Sequence, residues 1–249
     1  MAFFMEETVY FSQPACWSPG MEGADIWHEW ALGKRQLVAG PESPALDFTP
    51  PLFRRRLSQL SRMTVRVVHD ALENAGGCRD IPQSFVSFRG ELARQLSVDM
   101  TLITELSVLP AAFSLSVFNA PIALAAIACG LKGGYSAIFP PEGCFYDGFV
   151  TALAPVLCGD EPQVLLVYGD ELIPEEYRGI CSIGGGGSGD QDRGGPSDED
   201  GVGGEACGPL AFACVASCSR SELCRIPCRI EAVQGLSPDG FLKRLLLEA

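Results

Sequence analysis

The chain has 249 residues, 47% of them hydrophobic, enough for one sizeable core, and a formal net charge of −13 at pH 7. The acidic balance argues against a nucleic-acid binder, which would show a basic surplus. The opening MAFFMEETVYF meets Glu6 and Glu7 before any long apolar run, so no secretory leader is expected.

NAPIALAAIACGL, the longest apolar stretch, is too short and too rich in alanine for a membrane span. Eleven cysteines, an odd number, imply no complete disulfide framework, and the expected location is the cytoplasm.

ETVYFSQ (6–12) is expected to be a first strand, followed by a turn at Pro19-Gly20 and a short helix over Ala24–Leu32. Residues 48–77 carry the strongest helix signal. Phe53, Leu57, Leu60, Met63 (or Thr64), Val67 and Ala71 recur at three- and four-residue spacing, Thr49 is placed to cap, and Gly76-Gly77 stops the run. SFVSFRG (84–90) alternates like a strand, and residues 91–107 and 119–134 are predicted helices, the second built of small residues that suit burial against a sheet or a partner chain. A strand, YSAIFP, then leads through Pro-Pro-Glu-Gly into the helix CFYDGFVTALAPVLCG, and QVLLVYGDE (163–171) is an apolar run of buried-strand length. PLAFACVASC (209–218) is a further strand, and residues 237–249 a closing helix capped by Ser237.

Residues 181–206 break this pattern. Ten of the 26 are glycine, and six acids face one arginine, so the segment cannot bury enough apolar surface to order itself and is expected to be a disordered insertion. Strands alternating with helices otherwise indicate one α/β domain over residues 1–249, with a largely parallel or mixed sheet, helices on both faces, and residues 207–249 as its closing strand and helix.

Three blocks resemble a known family. PLFRRRLSQLSRM (51–63), SFVSFRGELARQL (84–96) and LSVLPAAFSLSVFNAPIALAAIACGLKGGYSAI (106–138) are similar to stretches of the short β-ketoacyl-synthase-like proteins, often described as chain-length-factor-like, which match the N-terminal half of a ketosynthase. The resemblance implies a thiolase-like layered fold, about one of the two usual halves. It also implies a place in bacterial fatty-acid or polyketide-type assembly, in particular of aryl polyene pigments. The implied partners are a ketosynthase subunit, an acyl carrier protein, or a second copy of the chain.

A condensing enzyme of this kind keeps a cysteine at the strand-to-helix elbow, where a helix N-terminus lowers a thiol's pKa and backbone amides stabilise an oxyanion. Laid against that elbow, GLKGGYSAIFPPEGCFYDGF places Glu142 where the nucleophile would stand and Cys144 two residues later. The family's SVHNA is SVFNA here, so Phe118 replaces a histidine. The resemblance therefore implies a protein that does not condense on its own. Glu142, as a base or decarboxylation aid, and Cys144, as the nucleophile of a stand-alone acyl-thioester transferase or hydrolase, remain candidate catalytic residues. Against Cys144, the only histidines, His28 and His69, are not placed beside the elbow by any motif.

Arg54, Arg55, Arg56 and Arg62, with Arg66, form the one basic cluster of an acidic chain and are candidates for carrier or partner binding. Ser114, Ser116 and Asn119 are candidates for the same surface. Cys207, Cys214, Cys218, Cys224 and Cys228 include pairs at C-x3-C spacing, but PLAFACVASC, which holds Cys214 and Cys218, reads as a strand, and paired C-x2-C knuckles are missing. The glycine-rich 182–190 lacks the G-x-x-x-x-G-K-[ST] pattern of a phosphate loop. Neither a metal nor a cofactor is expected.

Overall fold

A computed structural model describes residues 7–177 and 208–249. The insertion predicted over 181–206 lies outside the described residues. The strands are β1 (Thr8–Phe11), β2 (Ala15–Trp17), β3 (Gln83–Val86), β4 (Tyr135–Ile138), β5 (Val164–Asp170), β6 (Leu210–Ser217) and β7 (Ile226–Arg229). The helices are α1 (Ala24–Ala31), α2 (Pro51–Arg54), α3 (Gln59–Asn74), α4 (Leu92–Glu105), α5 (Pro110–Phe113), α6 (Ala120–Cys129), α7 (Phe145–Leu157) and α8 (Pro238–Glu248).

The seven strands among the described residues form one mixed sheet in the order β4-β3-β5-β6-β1-β7, with β2 also on β6. β3 pairs parallel with β4 and β5, whereas β6 runs antiparallel to β5, β1 and β2. β5 is buried on both faces, which explains its unbroken apolar run. Val164, Leu166 and Tyr168 face one layer, Leu165 and Val167 the other. The first layer holds α1, α7 and α8, where Phe11, Phe145, Phe149, Phe212 and Phe241 interlock with ring centroids 5.0–6.1 Å apart. The second holds α3 and α6, through Leu60, Met63, Val67 and Val68 on α3 and Ile122 and Ala125 on α6. Helices on both faces of a mixed sheet give the layered α/β architecture that the sequence pattern implies.

The predicted helix over 48–77 is two helices. Thr49 does not cap it: its hydroxyl donates to the Leu46 carbonyl, 2.8 Å away. The chain leaves α2 after Arg54, and Ser58 adopts an extended conformation and accepts from the Ser61 N–H at 3.0 Å, capping α3. A serine side chain offering the amide an acceptor competes with continued helix at this point. Two strands had no counterpart in the expectations. β2 follows a bulge at residues 12–14, and β7 carries Pro227, whose missing N–H an edge strand tolerates. Residues 87–90 form a turn after β3, and Ser237 caps α8 as expected, accepting from the Gly240 N–H.

Candidate functional site

The elbow lies where β4 gives way to α7. Two prolines end the strand, since neither can donate to a ladder. Cys144 donates its N–H to the Pro141 carbonyl at 2.9 Å, with Gly143 at φ 84, the left-handed third residue of a type II turn. α7 approaches this turn closely: a Cβ on Gly148 would stand 2.8 Å from Pro140 Cγ and 3.0 Å from Val86 Cγ1.

The neighbouring turn at 87–90 is held from below by Asp170, at the end of β5. Its carboxylate accepts from Ser87 Oγ at 2.7 Å, Tyr168 Oη at 2.5 Å, and the Arg89 and Phe88 N–H groups at 3.1 and 3.3 Å. Burial raises the Asp170 pKa above its ordinary value, against the pull of these donors and of Arg89. Arg89 then reaches across to form a charge-assisted bond with Glu142. Burial works against the Arg89 charge, but Asp170 and Glu142 outweigh it and hold its pKa above its ordinary value. Arg89 Nε is buried without a partner among the described residues.

Beside Asp170, Glu171 anchors two helix starts. One oxygen accepts from the Ala93 N–H of α4 at 2.9 Å, the other from the Leu60 N–H of α3 at 3.4 Å. Burial, with the nearby Glu91 charge added, pushes its pKa up to about 7. Glu91 takes hydroxyls from Ser58 and Ser61 and the Arg94 guanidinium. These groups explain why a strand-Arg-Gly-Glu-helix passage is built as it is: Gly90 supplies φ 60, and its missing side chain makes room for Phe118.

A cavity of about 350 Å³ opens at the elbow, walled by Phe88, Phe145, Tyr168 and Leu236, with Arg89, Glu142, Asp170, Glu171 and Asp239 as its charged groups. The structure brings Glu142 to this cavity. Cys144 is the half-buried N-cap residue of α7 and is not among the groups lining the cavity. No histidine lines it either: His69 stacks on Phe48 with ring centroids 3.7 Å apart, and His28 lines a different groove. Phe118 packs on Phe139 with ring centroids 4.7 Å apart.

The basic cluster divides. Arg54 pairs with Asp47 at 2.9 Å, Arg66 with Asp70 at 2.6 Å, and Arg62 donates to the Arg54 carbonyl. Arg55 and Arg56 are exposed and in no ion pair among the described residues. Ser114 and Ser116 donate to the carbonyls three residues back, and the Asn119 amide donates to Tyr135 Oη.

These last residues belong to a wide apolar face. α4 buries only Val98. Ile103, Leu106, Leu109, Phe113 and Ile127 are 72%, 87%, 71%, 60% and 70% exposed. Leu106 is also the one non-glycine residue at positive φ (52) among the described residues. β4 forms the sheet edge beside this face. Exposed apolar side chains and an open sheet edge are features that interaction surfaces use.

Arg89, Asp170 and Glu171 were not among the sequence candidates. One signal was available: two acids closing an apolar strand mark its C-terminal end, where α/β sheets hold their ligands.

Among the described residues, no helix is long and apolar enough to cross a membrane, and no cluster of histidine, cysteine and acidic side chains has the arrangement of a metal site. Among curated proteins, none matches the chain. Solved structures do. A chain of the complex between the ketosynthase ApeO and its chain length factor ApeC from Xenorhabdus doucetiae is 22% identical, with a TM-score of 0.62 over 84% of this chain and 79% of that one. The ishigamide ketosynthase/chain length factor is 13% identical, with a TM-score of 0.58 over 84% and 62%. A beta-ketoacyl synthase from Burkholderia phymatum is 15% identical, with a TM-score of 0.57 over 85% and 59%. At these identities the likeness is one of fold, and against the last two the chain spans only about three fifths of its relative. Residues 27–182 match the family described as beta-ketoacyl synthase, N-terminal domain, and the chain belongs to that family.

Proposed function

We propose that this protein is a non-condensing, chain-length-factor-like subunit that works beside an active ketosynthase. The observation that carries this is the elbow. Where a condensing enzyme needs a nucleophile to take the acyl chain, the cavity holds a carboxylate tied to Arg89, and among the described residues neither thiol nor imidazole lines it. A carboxylate engaged by a guanidinium is a poor nucleophile towards a thioester.

The partner surface in this account is the apolar face of α4, α5 and α6 with the β4 edge, which includes Ser114, Ser116 and Asn119. Two similar solved structures are of a ketosynthase with a chain length factor. Arg55 and Arg56, beside the exposed Leu52, are cations in no ion pair among the described residues and are assigned here to an acidic acyl carrier protein. The proposed setting is cytoplasmic assembly of a fatty-acid or polyketide-type chain, of the aryl polyene kind; all nine cysteines among the described residues are unpaired. The domain assignment is a single unit over 1–249.

Co-expression with the ketosynthase encoded in the same genome tests the pairing. A stable complex should co-purify, and Ile103→Asp should disrupt it; a chain that stays alone, or a complex indifferent to that change, contradicts the account. The alternative, an acyl-thioester transferase or hydrolase using Cys144, requires an acyl or iodoacetamide adduct on that thiol that blocks activity.

A further inference from the structure

A second groove lies away from the elbow, along β2. β1 and β2 share β6 as partner, but the register slips by one between Phe11↔Ala216 and Ala15↔Ala213. That slip is a bulge at residues 12–14. Ser12 repairs it: its N–H donates to the Val215 carbonyl at 2.8 Å, and its hydroxyl accepts from the Val215 N–H at 2.9 Å. β7 covers only the β1 half, pairing Thr8–Phe11. Past the bulge, β2 has β6 on one side and no strand on the other among the described residues. An edge of this kind presents backbone N–H and C=O groups to whatever lies beside it.

What lies beside it is a groove of about 1030 Å³, open to solvent and walled by the half-buried Trp17. Glu22, Asp25 and Glu42 stand on its rim, all exposed and in no ion pair among the described residues. Asp70, deeper in, is already matched by Arg66. Ser18 also lines the groove; it is 1% exposed, and its hydroxyl has no hydrogen-bond partner among the described residues. An unpaired edge, an aromatic wall and three unmatched carboxylates favour one kind of occupant.

We propose that this groove takes an extended peptide segment with lysine or arginine at alternate positions, added as a strand to the free edge of β2. Main-chain bonds to β2 would supply register, and the alternation of a strand would turn every second side chain towards the acidic rim. Trp17 offers a ring face to a cation or its alkyl stem.

The test uses the full chain and two short fluorescein-labelled peptides, one alternating lysine and valine, the other glutamate and valine. Anisotropy should report binding of the first and not the second. Hydrogen exchange should slow at residues 15–18 in the complex. The triple variant Glu22→Gln, Asp25→Asn, Glu42→Gln should weaken binding at least about tenfold, while the distant pair Asp160→Asn, Glu161→Gln leaves it unchanged. Absence of binding overturns the proposal. So does an equal loss in both variants, or binding without slowed exchange at 15–18, since either would report only attraction to an acidic protein.

Discussion

Replacing Glu171 by glutamine should stabilise the protein at neutral pH and leave it nearly unchanged in mild acid. Glu171 is 4% exposed, and its pKa rises from 4.5 to about 7, chiefly through burial, with the Glu91 charge adding to it. Between those two values the folded chain holds a proton that the unfolded chain has released. Stability therefore falls as pH rises through that window and levels off above the folded pKa. At about 1.4 kcal/mol per pH unit, the whole window is worth roughly 3 kcal/mol. Glutamine keeps an acceptor for the Ala93 N–H, now 2.9 Å from Glu171, but does not titrate. Urea unfolding from about pH 5 to about pH 8 should show the two proteins converging at the acid end and the variant ahead by roughly 2–3 kcal/mol at the alkaline end. Parallel curves, or a wild type that gains on the variant as pH rises, would refute the reasoning.

Other perturbations separate packing from function. Phe149→Ala removes a fully buried ring that touches Phe11, Phe145 and Phe241, and should cost about 3–5 kcal/mol in chemical denaturation. Gly148→Ala drives a Cβ into Pro140 and Val86 and should cost about 1–3 kcal/mol by thermal melting, loosening the elbow turn before the rest of the sheet. Leu106→Gly relieves a left-handed leucine that is 87% exposed. The isolated chain should lose no stability by it, whereas co-purification with a ketosynthase should weaken.

Long elements and local signals were legible in the sequence. β5 announced itself as an apolar run, α3 as a stripe at helical spacing, and α8 through its Ser237 cap, because each depends on residues close in the chain. β2 and β7 were not legible. They are three and four residues long, follow or contain a proline, and exist as strands only because β6 and β1 supply partners. The break between α2 and α3 was hidden because the apolar stripe runs on through Leu57, while the Ser58 cap competes locally.

At the site, Pro-Pro-Glu-Gly marked the turn correctly. The bond from Arg89 to Glu142 joins residues 53 apart in sequence, and the Asp170 carboxylate reaches residues 81–83 positions away. No spacing rule could expose either. The basic cluster misled in part, since Arg54, Arg62 and Arg66 serve the chain's own groups, while Arg55 and Arg56 are in no ion pair among the described residues.

The central claim is that the elbow carries an ion pair in place of a nucleophile, and that condensation belongs to a partner. Incubation of the purified chain with acyl and malonyl carrier thioesters, alone and with the ketosynthase of the same genome, tests it most directly. The account expects no product and no acyl adduct from the chain alone, and product only when the ketosynthase is added. Condensation by the chain alone, or an acyl group found on Cys144 or Glu142, would contradict it.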